Sequence, residues 1–502
     1  MNIHSFLEHH GIVRNPFAEE DAQTDQVFKE HCIRSAYHPI WDKVYGDPKE
    51  PSTSIIFGPK GSGKTAMRLQ IDQHLSRFNE ENPSHRVFVI RYDDFNPFLD
   101  HFCERDYWRT VKRPEKLLQS WRLWDHMDAI LCLGVTDLVD RILGTTVGSG
   151  IETVSESSID RLDRSAARDL LLLATSYDQS TSSNVTDRWH GLRQKLRYGN
   201  MSTKWHLALL VGSAIASTLL SVWLMLSQRS ESEEGAGLNP SILWLIPILT
   251  GLGSLPWVTR WVKCQLAAFG IYRHMRVGKR DRSSLRRILQ QFPAKELTSQ
   301  PLPRFDRTDD RYELLNKFQL ILKRLGFNGI VVLMDRVDEP HLTGGKAELM
   351  QRFVWPILDN KLLKHPGIGF KIMLPQELHR EVERETREFH ERARLDKQNV
   401  IPAFQWTGES LYDLARARML ACAAESRNPE PQGLFAPEVS QERLLAAFQS
   451  LRVPRHLFRL LYRVLVDHCN RHTDAQPVYQ IRAETFEATL ALYQRETEQG
   501  LQ

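Results

Sequence analysis

Two short stretches hold residue types that together could handle a phosphate chain. Gly58-Pro59-Lys60-Gly61-Ser62-Gly63-Lys64-Thr65 follows the run Pro51 to Phe57 (PSTSIIF) and leads into AMRLQIDQHLSRF. The first run reads as a turn and a short buried strand, the second as a helix, so G-x-x-x-x-G-K-T stands in the strand-loop-helix context it requires. Glycines let backbone N–H groups converge on phosphate oxygens, and the start of the following helix adds partial positive charge there. Lys64 would reach the β- and γ-phosphates and the Thr65 hydroxyl would bind magnesium. The expected cofactors are ATP and Mg2+. GTP is not excluded, although no guanine-reading N-K-x-D motif is present.

Such a loop needs an acidic partner at the carboxyl end of a neighbouring strand, because ligands of open parallel sheets sit outside those ends. Gly329 to Glu339 (GIVVLMDRVDE) supplies one. Ile330 to Met334 has the unbroken apolar character of a strand covered on both faces. Asp335 closes it and would hold the magnesium shell, while Glu339, with Asp338 as competitor, would orient and deprotonate the attacking water. Lys64, Asp338 and Glu339 are thus the catalytic candidates and Thr65 and Asp335 the metal candidates. The plain alternative is a buried strand followed by an ordinary acidic turn.

Further strands fit the same sheet. His85 to Tyr92 (HRVFVIRY) leads to Asp93 and Asp94, and Gly369 to Leu374 (GFKIML) leads to Pro375 and Gln376. Gln376 would sense the γ-phosphate or merely cap the next helix. A charged segment, ELHREVERETREFHERARLDKQ, precedes the apolar run NVIPAFQW. There Arg392 and Arg394 are either arginine fingers toward a neighbouring subunit or part of a solvated, salt-bridged helix face. The C-terminal region repeats apolar residues at helical spacing, and Pro454-Arg455 opens one of its helices. Arg455 would swing onto the phosphates, or is a first-turn residue of a bundle.

Composition bounds these readings. With 502 residues, 41% hydrophobic and 25% charged, the chain has room for two or three folded domains. The net charge of +4 is modest, but basic residues crowd between about 188 and 287, which would favour phosphate or anionic lipid. Cys32, Cys103, Cys132, Cys264, Cys422 and Cys469 show no C-x-x-C pair and no zinc spacing, so they read as reduced, mostly buried thiols. MNIHSFLEHHGIVRNPF lacks the basic start and apolar run of a signal peptide.

Two uncharged stretches predict a transmembrane hairpin. Trp205 to Leu226 would extend roughly 33 Å as a helix, and Ser241 to Thr259 is nearly as long. Trp205, Trp223, Trp244, Trp257 and Trp261 stand toward their ends, where such rings favour headgroups, and Pro247 and Pro256 suggest a kink in the second span. The flank before the first span has five Lys or Arg and no acid, the flank after the second has nine and one Asp, and the connecting loop has one Arg and three Glu. The positive-inside rule then makes both flanks cytoplasmic, giving a multi-pass protein of the inner (plasma) membrane with membrane lipid as a partner. The alternative is a pair of buried core helices.

Along the chain, 1–99 would carry a linker and the first part of the nucleotide domain, 100–204 a helical insertion with a Gly/Ser/Thr-rich break near GTTVGSGIETVSESS, and 205–262 the hairpin (205–226 and 241–259). Residues 263–404 would complete the nucleotide domain and 405–502 form a helical lid. The fold class expected is α/β, a three-layer α/β/α parallel sheet with a C-terminal helical lid and an inserted membrane hairpin.

With the loop at Gly58 to Thr65, D-x-x-D-E at Asp335 to Glu339 and the lid-like VPRHLFRLL at Val453 to Leu461, the chain resembles additional-strand P-loop ATPases of the AAA+ and STAND classes. A hairpin between the two motifs is similar to the KAP family of membrane-embedded P-loop NTPases. Arg336 after Asp335 departs from the aspartate-rich KAP segment and is nearer to STAND ATPases. The resemblance implies a cytoplasmic ATPase and, from some bacterial KAP members, a part in phage exclusion. NPFAEEDAQTDQVFKEH resembles the linker that packs near adenine in AAA+ and origin-recognition-like ATPases, so Asn15, Pro16 and Phe17 would line a base pocket or form a simple turn.

The expected function is binding and hydrolysis of Mg-ATP to drive a conformational or assembly switch at the membrane, with a homo-oligomer and a protein partner of unknown kind. The rivals are a nucleotide-gated scaffold with little turnover and a membrane-tethered DNA ATPase. No DNA-reading helical module is evident at the C-terminus, which argues against nucleic acid. A transporter is disfavoured because neither span holds an Asp, Glu, Lys or Arg, which leaves no obvious path unless several chains assemble.

Overall fold

The computed structural model describes residues 1–106, 114–145, 153–181, 184–199, 203–230, 245–298, 300–358, 361–393, 395 and 399–500. The chain divides into two compact units, one of Met1–Asn96, Arg113–Trp121 and Phe327–Gln502, the other of Pro97–Lys112 and Arg122–Gly326. The inserted unit therefore takes in 263–326, which the sequence assigns to the nucleotide domain.

The first unit is built on five parallel strands, β1 (Ser54–Gly58), β2 (Arg86–Tyr92), β3 (Phe327–Met334), β4 (Ile368–Pro375) and β5 (Asn399–Ile401). Their order is β2-β3-β4-β1-β5. Every residue of β1 and β4 is buried, Ser54 and Lys371 included, as largely apolar strands covered on both faces should be. Alternate side chains divide between the two faces. On one, Ile56, Val87, Val89, Val331, Leu333 and Met373 pack with Met67, Ile71 and Leu75 of the helix Lys64–Glu81. On the other, helix Gln376–Glu383 meets the sheet, with His379 edge-on to Phe57. β4 lies between β1 and β3, so the strand bearing Asp335 is not the immediate neighbour of the loop strand as the sequence suggests.

The helices Gly408–Ala421, Gln441–Leu451, Pro454–Arg471 and Ala483–Glu498 form a separate core. The N-terminal segment belongs to that core: Phe6, Leu7, Ile12, Phe17, Val27 and Phe28 are buried in it. Its backbone is tied there too, for Val13 N–H donates to Cys422 O at 2.8 Å and Ala424 N–H to Gly11 O at 2.8 Å. The stretch read as a linker is thus part of the lid.

The second unit is helical. Its helices include Leu123–Leu143, Arg164–Tyr177, Val185–Lys195, Thr203–Ser230, Leu245–His274, Arg282–Leu289 and Thr308–Arg324. Its interior holds buried salt bridges. Asp128 and Arg311, both fully buried, lie 3.1 Å apart, and the Tyr177 hydroxyl donates to Asp128 at 2.8 Å.

The expected transmembrane hairpin and the multi-pass placement in the plasma membrane are overturned, because among the described residues no helix is long and apolar enough to cross a membrane. The fold class keeps its sheet and lid but not the membrane insertion. Ser241 to Trp244 of the second stretch lie outside the described residues, and in the helix Leu245–His274 Arg260 and Lys263 follow directly on the uncharged part. In the first stretch Gly212, Ser213, Ser217, Thr218 and Ser221 interrupt the apolar run, and the hydroxyls of Ser213, Thr218 and Ser221 bond back to helix carbonyls. The two helices pack on each other, with Ser213 against Gly253, and leave Leu219 and Leu252 among their exposed apolar side chains.

The basic flank also has internal uses. Arg260 donates to the Gln290 and Phe292 carbonyls, Arg276 pairs with buried Asp125, and Arg280 donates to the Ser176 and Ala174 carbonyls. Cations counted as topology signals are therefore partly structural. Trp244, the acidic loop 231–240 and Arg394 lie outside the described residues, as do the side chains of Trp205 and Pro247 and residues 146–152 of the Gly/Ser/Thr-rich break.

Candidate active site

β1 delivers Gly58, and the chain then turns through Gly61 (φ +84°) and Gly63 (φ +95°), a conformation L side chains rarely adopt. Space is scarce as well: a Cβ on Gly61 would stand 2.7 Å from the Cβ of Arg455. Gly63 caps the helix Lys64–Glu81, whose first N–H groups have no partner within the helix. The loop is braced from outside. Trp406 Nε1 donates to Ser62 O at 2.8 Å, and Arg455 N–H donates to Gly61 O at 3.3 Å.

Lys64 Nζ donates to Gly58 O at 2.7 Å and Pro59 O at 3.0 Å, so the ammonium is folded over its own loop. Burial lowers its pKa, against the pull of Asp335, Asp338 and Glu377. Thr65 Oγ1 donates to Asp335 Oδ2 at 2.8 Å. Asp335 is only 2% exposed, and burial pushes its carboxyl pKa up, opposed by the Thr65 bond and by Arg68. Arg68 lies between two acids, 3.0 Å from Asp93 and 3.5 Å from Asp335. That gives Asp93, at the end of β2, a positioning role that the sequence leaves blank.

Beyond Asp335 the chain makes a tight turn in which Arg336 adopts φ +63°, rare for a residue with a side chain. The turn brings Arg336 Nη1 to 3.4 Å from Glu339 Oε2. Partial burial raises the Glu339 pKa, Arg336 lowers it, and Asp338 and Asp335 raise it further.

These groups share one cavity of about 1120 Å³, part of it open to solvent. Of the sequence candidates, Lys60, Gly61, Gly63, Lys64, Thr65, Asp335, Asp338, Glu339 and Arg455 all line it. Gly58, Pro59 and Ser62 do not; they shape the loop from behind, and Ser62 is fully buried. Arg455 stands at the start of the helix Pro454–Arg471, and its Nε lies 3.7 Å from Glu20. Glu20 is held more closely by Arg459, at 2.6 Å.

Other candidates stand apart. Gln376 is the first residue of its helix, outside the cavity lining, and donates to Pro402 O at 2.8 Å, so its side chain neither lines the cavity nor caps the helix. Arg392 lies on the helix Arg387–Ala393, where its carbonyl accepts from Lys364 at 2.9 Å. Asn15 makes a turn by accepting from Phe17 N–H at 3.0 Å, and the Pro16 carbonyl accepts from Arg418 at 2.7 Å. Residues further on, Ala22, Phe28 and Ala36 among them, line the cavity in their place.

The sequence does not single out Arg68, Trp406 or the apolar cavity wall formed by Ala22, Phe28 and Ala36, nor the pairing of Arg336 with Glu339. Arg68 had a signal, since three positions after Thr65 on a helix is the same face. Trp406 had none, because its bond to Ser62 spans the whole intervening chain.

A hydroxyl beside a carboxylate offers the hard oxygens magnesium prefers, and two protein ligands suit an ion that takes its other oxygens from phosphate and water. The left-handed glycines and the open helix start fit the phosphates. Among the described residues no group of three or more His, Cys, Asp or Glu could hold a metal by itself. Comparison with protein-family models, with curated proteins and with solved structures finds no match.

Proposed function

We propose that this chain binds a nucleoside triphosphate with magnesium at Gly58–Thr65 and hydrolyses it, the helical lid answering to the nucleotide state. The observation that carries the reading is the Thr65–Asp335 bond of 2.8 Å, made in the same cavity that Lys64 and Arg455 line. It joins the loop's hydroxyl to the one carboxylate a magnesium-dependent site would need beside it. The strand order supports the reading, since β4 between β1 and β3 is an additional-strand arrangement.

The residues divide the work. Lys64 would exchange the Gly58 and Pro59 carbonyls for phosphate oxygens, and the N–H groups of the loop would bind the same chain. Thr65 and Asp335 would hold magnesium, which when bound neutralises phosphate charge. Glu339 would take the proton of the water that attacks the terminal phosphorus, as the diphosphate leaves. Its raised pKa brings the base nearer to neutral pH, where proton transfer is effective. Arg455, whose backbone already bonds to Gly61, would carry the change in phosphate charge into the helix Pro454–Arg471. Such a linkage would serve a conformational or assembly switch.

A second reading, slow or absent turnover with the nucleotide setting only the conformational state, is favoured by the Arg336–Glu339 pair, which engages the candidate base. Phosphate release from ATP or GTP, compared among wild type, Lys64→Ala and Glu339→Gln, tests both. Turnover lost in both variants supports hydrolysis, and tight binding without turnover in wild type supports the second reading. Absence of nucleotide binding to wild type overturns both.

A further inference from the structure

We infer that Gln70 reads the base of the bound nucleotide and selects a purine bearing an amino group at position 6. The inference rests on the nucleotide reading above and adds to it the group that recognises the base. Gln70 stands on the loop's own helix, five positions after Thr65, or about 7.5 Å further along the axis. Phosphates held at Gly61 to Thr65 leave the base to that farther part of the cavity. The residues lining it there are largely apolar: Phe28, Ala36, Met67, Leu414 and Phe458. They suit the faces of an aromatic base and say nothing about its edge.

Gln70 can read the edge. It is 3% exposed and lines the cavity. Its Nε2 donates to Ala36 O at 2.8 Å. A backbone carbonyl only accepts, so the nitrogen must face Ala36 and the side-chain oxygen must be the other atom of the amide. Among the described residues nothing donates to that Oε1. The other polar groups on the same wall are committed. Arg418 donates to Pro16 O and Asp25 and lies over the Phe458 ring, Asp25 also accepts from Phe28 N–H, and His38 Nε2 meets Gln405 O.

A fixed, unpartnered acceptor on a largely desolvated wall favours a donor. The 6-amino group of adenine is one, whereas guanine and hypoxanthine present a carbonyl oxygen at that position. Two acceptors facing each other leave both without a partner, which a buried site penalises heavily.

The test uses the full chain and isothermal titration with the magnesium salts of ATP, purine riboside triphosphate, which lacks the amino group, and inosine triphosphate, which carries the carbonyl. Wild type is expected to bind the purine riboside compound about tenfold more weakly than ATP, and the inosine compound more weakly again. Gln70→Met and Gln70→Leu should narrow the first gap to about twofold or less by weakening ATP. Equal affinities in wild type, or a gap unchanged in a folded variant, overturn the role of Gln70 and leave the phosphate site standing. Should both variants fail to fold, the wild-type comparison decides alone. Failure of wild type to bind any of the three overturns the nucleotide reading and this inference with it.

Discussion

Thr65 and Asp335 are 270 positions apart in sequence and 2.8 Å apart in space, joined by a hydrogen bond although β4 separates the strands that carry them. The bond links the helix after β1 to the end of β3, over the carboxyl edge of the sheet where parallel α/β folds bind ligands. Thr65→Ala and Asp335→Asn should each weaken magnesium-dependent nucleotide binding by at least about tenfold. Binding measured with EDTA in place of magnesium should change little. Titration with and without the metal checks this, and an equal loss under both conditions would mean that the pair only holds the fold.

Arg336 opposes the groups that raise the Glu339 pKa. In Arg336→Ala that opposition is gone, so Glu339 should hold its proton to higher pH, and the acidic limb of the rate profile should move upward. A limb that stays in place would show that Glu339 is not the group titrating. Rates of phosphate release between pH 5 and 9 read this directly, and Arg336→Lys should recover part of the difference.

Lys371 is buried on β4 with Val44 O at 2.7 Å and Ser52 Oγ at 3.4 Å as its partners, and burial pushes its pKa down to about 8. Between about pH 8 and the ordinary lysine value the unfolded chain holds a proton that the folded chain does not. Stability therefore rises with pH through that window, by about 3 kcal/mol for a shift of this size. Below pH 8 both states are protonated and the cost of burying the charge is constant. Urea denaturation of wild type and Lys371→Met should give a stability difference that moves in favour of wild type from pH 8 to 10. A difference independent of pH would count against the lowered pKa.

Asp128 and Arg311 have no exposed surface, so removing one partner strands the other's charge. Asp128→Ala should destabilise the inserted helical unit by about 3 to 5 kcal/mol. Asp128→Asn should cost less, because it still offers an oxygen to Arg311 and Tyr177. Thermal unfolding of the two variants checks the order.

How much of this was legible depends on whether the deciding contacts were local. All five strands could be read, since IIF, VFVI, IVVLM, GFKIML and NVI are apolar runs, broken only by Lys371 and Asn399, next to turn residues or acids. The loop was legible because its chemistry is contiguous. Insertion of β4 between β1 and β3 was legible only through the resemblance to additional-strand ATPases, for strand order comes from pairing across the whole chain and leaves no mark on any one strand. The N-terminal segment misled for a related reason: the burial of Phe6, Leu7 and Ile12 among the lid helices is decided by residues more than four hundred positions away. The hairpin failed on local polarity, with Ser213, Ser217, Thr218 and Ser221 inside the first stretch and Arg260 and Lys263 continuing the helix of the second.

β2 and β3 are neighbours in register, Tyr92 beside Met334, yet the whole helical unit is translated between them. A ribosome adding roughly 5 to 20 residues per second needs on the order of ten seconds or more to bridge that interval. Throughout it β1 and β2 are already made, with the loop between them, while the strands that must separate and cover them do not yet exist. The inserted unit has its full sequence before the sheet does, so it is placed to fold first. A nascent chain stalled before Phe327 would then hold the loop without Asp335, and the proposed metal and nucleotide site would be complete only after the second half of the sheet has left the ribosome.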